Sequence, residues 1–296
     1  MQVSDYFIRG DVKGAIEYMR EHEEYKDILP AYISLFENNE YIDYEVPELL
    51  NNILKLYQIY YHDIFYCGVQ ESEAADKLID SLTDLLNIDN KDDEYLSYYL
   101  QKLFEDYGYH AQFGKTQGFY GPYIWKDIAE TVYNVELPDG IAEYKVNILK
   151  GFIFRSWMDY LTFGRFGTGG WTTEDGVICC IEKVYDFNSE KFTVSLLKHE
   201  AQHAQDMKNF KGITSQELEY RAKLVELCYS NNINLLQKFI AEADENKVND
   251  GHALASFKIK KGFENTDQSD LAAVQNRAME LFNEDTEAMK EKYSKD

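Results

Sequence analysis

Apolar residues recur at helical spacing through the first third of the chain. Val12 to Met19, Leu49 to Ile59 and Ser81 to Leu86 carry them three and four positions apart, the period that lines one face of a helix. Gly10-Asp11 ahead of the first of these and Pro30 in the next segment are the punctuation of stacked helix pairs. No strand pattern interrupts them, and no fixed period makes them a solenoid repeat. The acidic stretch NIDNKDDE, 87–94, predicts a long joint before one more helix, Tyr95 to Tyr107. The pattern therefore predicts an all-helical N-terminal module over residues 1–104.

From about residue 108 glycine, aromatics and alternation take over. GYHAQFGKTQGFYGPYIW carries four glycines and Pro122, which predicts a loop or a pair of short strands. Thr131 to Leu137 and Tyr144 to Leu149 flank Pro138-Asp139-Gly140. Proline presets φ at the first corner of a turn and glycine accepts a positive φ, so these segments predict an antiparallel pair. A glycine-rich approach to Trp171 follows, then a short apolar strand from Gly176 to Val184. Residues 105–296 thus predict a second domain that opens on a small, mostly antiparallel sheet, and the chain as a whole an α+β fold.

After the sheet comes SEKFTVSLLKHEAQHAQDMKNFKG. Ser189 is a natural N-cap with Glu190 in the first turn, and Lys208, Lys211 and Gly212 are C-terminal signals, so the spacing predicts one helix of about five turns. Val194, Leu197, Ala201 and Ala204 mark its buried side. In its middle lies His199-Glu200-Ala201-Gln202-His203, the HExxH pattern. Residues four apart stand one turn above each other, so both imidazoles project from one face and can bind a single zinc ion. Glu200 leans towards the same face, placed to take a proton from a water activated there rather than to bind the metal. With six histidines in 296 residues, chance produces this pattern in roughly one chain in a hundred.

Such a site needs a third protein ligand and one open position. The next helix opens ITSQELEYRAKLVEL and offers Glu217, Glu219 and Glu226. Thr214 followed three residues on by Glu217 is a capping box, which gives Glu217 a structural task. Glu219, early in the helix, is the expected ligand. Glu226, two turns later on about the same face, is expected either to support a ligand from behind or to form a surface ion pair. The oxyanion stabiliser that the chemistry also requires is left open among His252, His110, Tyr109, Tyr120 and Tyr123.

These residues resemble the zincin-type metallopeptidases of the gluzincin branch. HEAQH matches that family's first motif, and Glu219-Tyr220-Arg221-Ala222 is similar to the EYxA stretch that bears the third ligand in the CAAX-processing membrane metallopeptidases. Lys223 stands where that pattern has Asp, and Asp206, one turn beyond His203, is the substitute to orient a histidine. The resemblance covers roughly residues 165 to 230. It implies a zincin-like catalytic domain, and an edge strand upstream of the motif that pairs with substrate backbone, for which Gly169, Gly170 and Trp171 stand at a compatible distance.

Composition narrows the partners. Acidic residues outnumber basic ones 53 to 30, a formal charge of −23, and such a field repels nucleic acid and anionic lipid surfaces. No apolar run approaches the roughly 18 to 20 residues that span a bilayer, and the N-terminus lacks the pattern of a secretory signal. Four cysteines, Cys67, Cys179, Cys180 and Cys228, without CxxC spacing fit a reduced cytoplasmic setting. Cys179 and Cys180, adjacent in an apolar run, are expected as small core residues. The resulting expectation is a cytoplasmic zinc metallohydrolase, a peptidase acting on peptide or protein substrates. The alternatives are a non-catalytic metal-binding protein that engages a protein partner through its helical module, or a zinc hydrolase of non-peptide amides.

Overall fold

In the computed structural model, residues 2–173, 175–247 and 250–293 are described. Along the chain come helices α1 (Val3–Ile8), α2 (Val12–Arg20), α3 (Leu29–Tyr32), α4 (Glu48–Phe65), α5 (Glu71–Leu86) and α6 (Asp93–Asp106). Strands β1 (His110–Gln112), β2 (Lys115–Thr116), β3 (Phe119–Tyr120), β4 (Tyr123–Trp125), β5 (Asp127–Leu137), β6 (Gly140–Lys150) and β7 (Phe154–Arg155) follow, then α7 (Ser156–Leu161), β8 (Gly170–Thr172) and β9 (Ile178–Ile181). The rest is helical: α8 (Glu190–Phe192), α9 (His199–Asn209), α10 (Ser215–Tyr229), α11 (Leu235–Glu242), α12 (Gly251–Gly262) and α13 (Leu271–Tyr293). The fold is α+β with small sheets, and no helix among the described residues is long and apolar enough to cross a membrane.

The chain divides into two units, Met1–Asp127 with Gly151–Thr168, and Ile128–Lys150 with Gly169–Asp296. The boundary expected at residue 104 thus falls later, and the first unit takes back a second segment. The reason lies in its core: Ala111, Tyr120, Ile124, Phe154, Trp157, Tyr160 and Leu161 are buried together with Leu50, Tyr57, Tyr61, Leu78 and Leu100 of the helices. An antiparallel sheet β1-β4-β7 and the β2–β3 pair therefore complete a unit whose first hundred residues are helical.

The second unit is built on the sheet β5-β6-β9-β8. Pro138 and Asp139 turn β5 into β6, with Gly140 at φ +129°, a value that glycine tolerates and side chains rarely do. β9 pairs with β8 antiparallel and β6 with β9 in parallel, so the mostly antiparallel sheet that was expected includes one parallel pairing. Cys180 and Ile178 at the sheet are buried with Leu196, Leu197 and Ala201 from the helical side and with Tyr220, Leu224 and Val225 of α10. Cys179 and Cys180 are free and buried, as expected of core residues, and burial pushes both thiols up, to about 11 and about 12.

The expected capping box at α10 is present. Thr214 Oγ1 accepts from Glu217 N at 3.3 Å, and Glu217 Oε2 accepts from Thr214 N at 3.1 Å. The same carboxylate also receives Lys292 Nζ at 2.7 Å and the Tyr293 hydroxyl at 2.8 Å, fastening the end of α13 to the start of α10. Burial works against the Glu217 carboxylate, but Lys292, Thr214 and Tyr293 outweigh it and hold its pKa at about 2. A group depressed on folding stabilises above its unfolded value and stops doing so as pH falls through the folded one. Glu217→Ala is therefore expected to cost around 1 kcal/mol at pH 7. The gap between wild type and variant should close between pH 4.5 and about 2, as read by urea unfolding across that range.

Candidate metal centre

The segment expected as one long helix is helical throughout but not uniform. Ser189 caps it, its hydroxyl accepting from Phe192 N at 3.3 Å. After α8 the backbone widens into a π turn over Thr193–Lys198 and tightens again at His199, where α9 begins. Such widened turns re-aim the side chains that follow and are frequent at functional sites. HExxH thus occupies the first turns of α9, with α10 packed alongside.

His199, Glu200, His203 and Glu219 are each 8–9 % exposed, an unusual degree of burial for polar residues. The two rings meet edge to face with centroids 4.5 Å apart. His199 Nε2 lies 3.5 Å from Glu219 Oε2, and His203 Nε2 lies 3.5 Å from Glu219 Oε1. Ligand atoms of the three residues all fall within 4.8 Å of one another. HExxH and the expected third carboxylate are thereby brought together from two helices.

The electrostatics favour a cation. Burial disfavours a charged imidazole, but the carboxylates of Glu219 and Glu226 on either side outweigh it and push His199 up to about 10. Burial likewise opposes the Glu219 carboxylate, and His199, His203 and His252 hold it well below the usual range. The spacing suits a shared ion. Donors about 2.0–2.2 Å from one tetrahedral zinc stand about 3.3–3.6 Å apart, beyond a good hydrogen bond and equal to the contacts seen. Two imidazoles and a carboxylate are also the donor set that zinc takes at catalytic sites.

Glu226 stands behind His199. Its Oε1 lies 2.7 Å from His199 Nδ1, an arrangement that leaves Nε2 aimed at Glu219. Asp206, the expected substitute, does something else: its Oδ2 accepts from Arg221 Nε at 2.9 Å, wholly buried. Arg221 also reaches Thr286 at 3.0 Å, so this pair fastens α10 to α9 and α13. His203 Nδ1 is buried without a hydrogen-bond partner. Lys223, at the position where the resembled pattern has Asp, pairs with Glu242 at 2.7 Å.

No family model, curated protein or solved structure matches this chain. Its chemistry has to be read from its own residues, and one of them, Thr172, escaped sequence reasoning. Thr172 in β8 places its hydroxyl 2.8 Å from Glu200 Oε2 and 3.0 Å from the Glu200 carbonyl oxygen, tying the strand to Glu200. A lone threonine in a short strand carries no signal for that. His252, at the start of α12, sets Nδ1 2.9 Å from Glu219 Oε2 with its side chain 60 % exposed. Of the residues left open for the oxyanion, His110, Tyr109, Tyr120 and Tyr123 belong to the first unit and His252 to the second.

Gly170 and Trp171 open β8, the last strand of its sheet, and Gly169 precedes them with its carbonyl accepting from Ile181 N at 2.9 Å. A Cβ at Gly170 would meet the Cys179 carbonyl oxygen at 2.5 Å and Leu196 Cδ1 at 2.6 Å. Glycine is what lets this strand lie so close to the helical layer. The cavities of about 210 and 260 Å³ around Arg155 and Asp159 belong to the first unit and are lined by none of the clustered residues.

Proposed function

We propose that the chain is a zinc-dependent metallohydrolase with a zincin-like catalytic domain, and a peptidase. The observation that carries this reading is the pair of 3.5 Å contacts from His199 Nε2 and His203 Nε2 to the two oxygens of Glu219. His199, His203 and Glu219 would hold the ion. When bound, zinc supplies a Lewis acid that polarises a carbonyl and lowers the pKa of water.

The remaining chemistry belongs to the chain. Glu200, on the turn that carries both histidines, is the general base: it takes the proton of the attacking water and returns it to the leaving amine. Thr172 holds one oxygen of that carboxylate, so the base is positioned by the strand that also offers an edge. β8 is the last strand of its sheet, and its outer edge beside Gly170 gives a backbone donor and acceptor to an extended peptide, where regular pairing aligns the scissile bond. That geometry favours a peptide over a small amide. His252 steadies Glu219 from the exposed side.

Two measurements test the reading. The purified protein should carry about one zinc per chain at this site and cleave members of a peptide library. Chelation should abolish cleavage and zinc should restore it; a zinc-loaded protein that cleaves no peptide would favour the non-catalytic alternative. The role given to Glu226 has its own outcome. Glu226→Gln should weaken zinc binding about 10- to 100-fold, the usual effect of removing a carboxylate behind a ligating histidine. Competition with a chromophoric chelator measures it, and unchanged affinity would remove Glu226 from the site.

A further inference from the structure

A second set of metal-ligating side chains lies in the first unit, where α4 ends. His62 and Asp63 occupy its last turn and Cys67 follows two residues beyond Phe65. The chain curls back there: Cys67 N donates to the His62 carbonyl at 3.1 Å, Val69 N to that of Asp63 at 2.9 Å, and Gly68 takes φ +73°. The curl brings Cys67 Sγ to 3.6 Å from His62 Nδ1, and Asp63 Oδ1 stands 3.8 Å from the same nitrogen. All three ligand atoms lie within 4.8 Å of one another.

The histidine is set up for the task. His62 Nε2 lies 3.0 Å from the Phe36 carbonyl oxygen, which can only accept, so the ring proton sits on Nε2 and Nδ1 presents its lone pair to Cys67 and Asp63. A backbone carbonyl behind a histidine is a recurrent way to orient a metal ligand. Tyr66 and Tyr41 flank the ring, with centroids at 5.3 and 6.3 Å. Lys77 Nζ holds the other oxygen of Asp63 at 2.6 Å, which leaves Oδ1 for the cluster. The end of a helix also favours positive charge.

We propose that His62, Asp63 and Cys67 form a second metal site, for zinc or a similar borderline divalent cation. Nitrogen and sulfur donors at about 2.0 and 2.3 Å from one tetrahedral ion stand about 3.5 Å apart, close to the spacing seen. A thiolate with an imidazole selects this class over magnesium or calcium. Cys67 is exposed, so an ion reaches it from solvent, and water completes the coordination. The site is independent of the reading of α9 and α10.

Cobalt(II) titration of the metal-stripped, reduced full chain separates the two sites, because the cluster on α9 and α10 has no sulfur donor. Wild type should develop a near-ultraviolet thiolate-to-cobalt charge-transfer band, and so should His203→Ala. Cys67→Ser, an exposed replacement checked for fold by circular dichroism, should lose the band. His62→Ala should need at least tenfold more cobalt to reach it. Absence of the band in wild type with Cys67 shown to be reduced, or its survival in Cys67→Ser, overturns the proposal.

Discussion

Glu200→Gln is expected to keep its zinc and lose peptide hydrolysis by about a thousandfold or more, the scale of a general base combined with a polarising metal. The amide fills the same space and still offers an oxygen to Thr172 Oγ1, 2.8 Å from the carboxylate in wild type. What it cannot do is take a proton. The three residues that converge on the ion position are untouched, since Glu200 is not among them. Metal analysis of the variant beside wild type, with cleavage of one identified peptide, gives the two numbers needed. Equal activity at equal zinc content removes Glu200 from the chemistry. Loss of both together would mean that Glu200 supports the fold of the site rather than the reaction.

The distinction matters because Glu200 and Thr172 join two parts of the second unit that the chain supplies separately. The π turn over Thr193–Lys198 sets where His199 begins α9, and the close approach of Gly170 to Leu196 and Cys179 sets where β8 lies. Glu200 and β8 meet because both depend on the same packing. Thr172→Val, which keeps the strand and deletes the hydroxyl, would separate positioning of the base from its chemistry.

Much of this site was legible because its signals are local. The four-residue spacing of His199 and His203 puts two rings on one helical face whatever the tertiary fold does. The Thr214–Glu217 capping box was equally plain, and it left Glu219 and Glu226 for the metal region. Tertiary partnerships were not legible. Asp206 looked free to orient a histidine because it lies one turn past His203, but Arg221, fifteen residues later and wholly buried, claims it. A buried guanidinium needs a carboxylate more than an imidazole does, since it cannot shed its charge. Glu226 then serves His199. The domain boundary was missed for a similar reason: Phe154, Trp157 and Leu161 enter a core built largely from the helices of the first hundred residues, and only folding reveals that return.

The three glutamates of α10 provide the decisive comparison. Glu219→Ala should lower zinc affinity by well over a hundredfold while the fold persists, because it deletes the carboxylate that both His199 and His203 face through Nε2. Glu226→Gln should have the smaller effect of a supporting group, and Glu217→Ala none on zinc, its carboxylate being engaged by Thr214, Lys292 and Tyr293. The order of losses therefore reads the architecture directly: ligand, support behind a ligand, helix cap. Zinc titration of the three variants against a competing chelator, with unfolding curves as the control for the cap, measures it. Should Glu226 prove the ligand, its replacement would strip zinc and Glu219→Ala would not. Wild-type affinity in Glu219→Ala would leave two histidines on one helix without a third partner, too few to hold a catalytic zinc, and the metallopeptidase reading would fall with it.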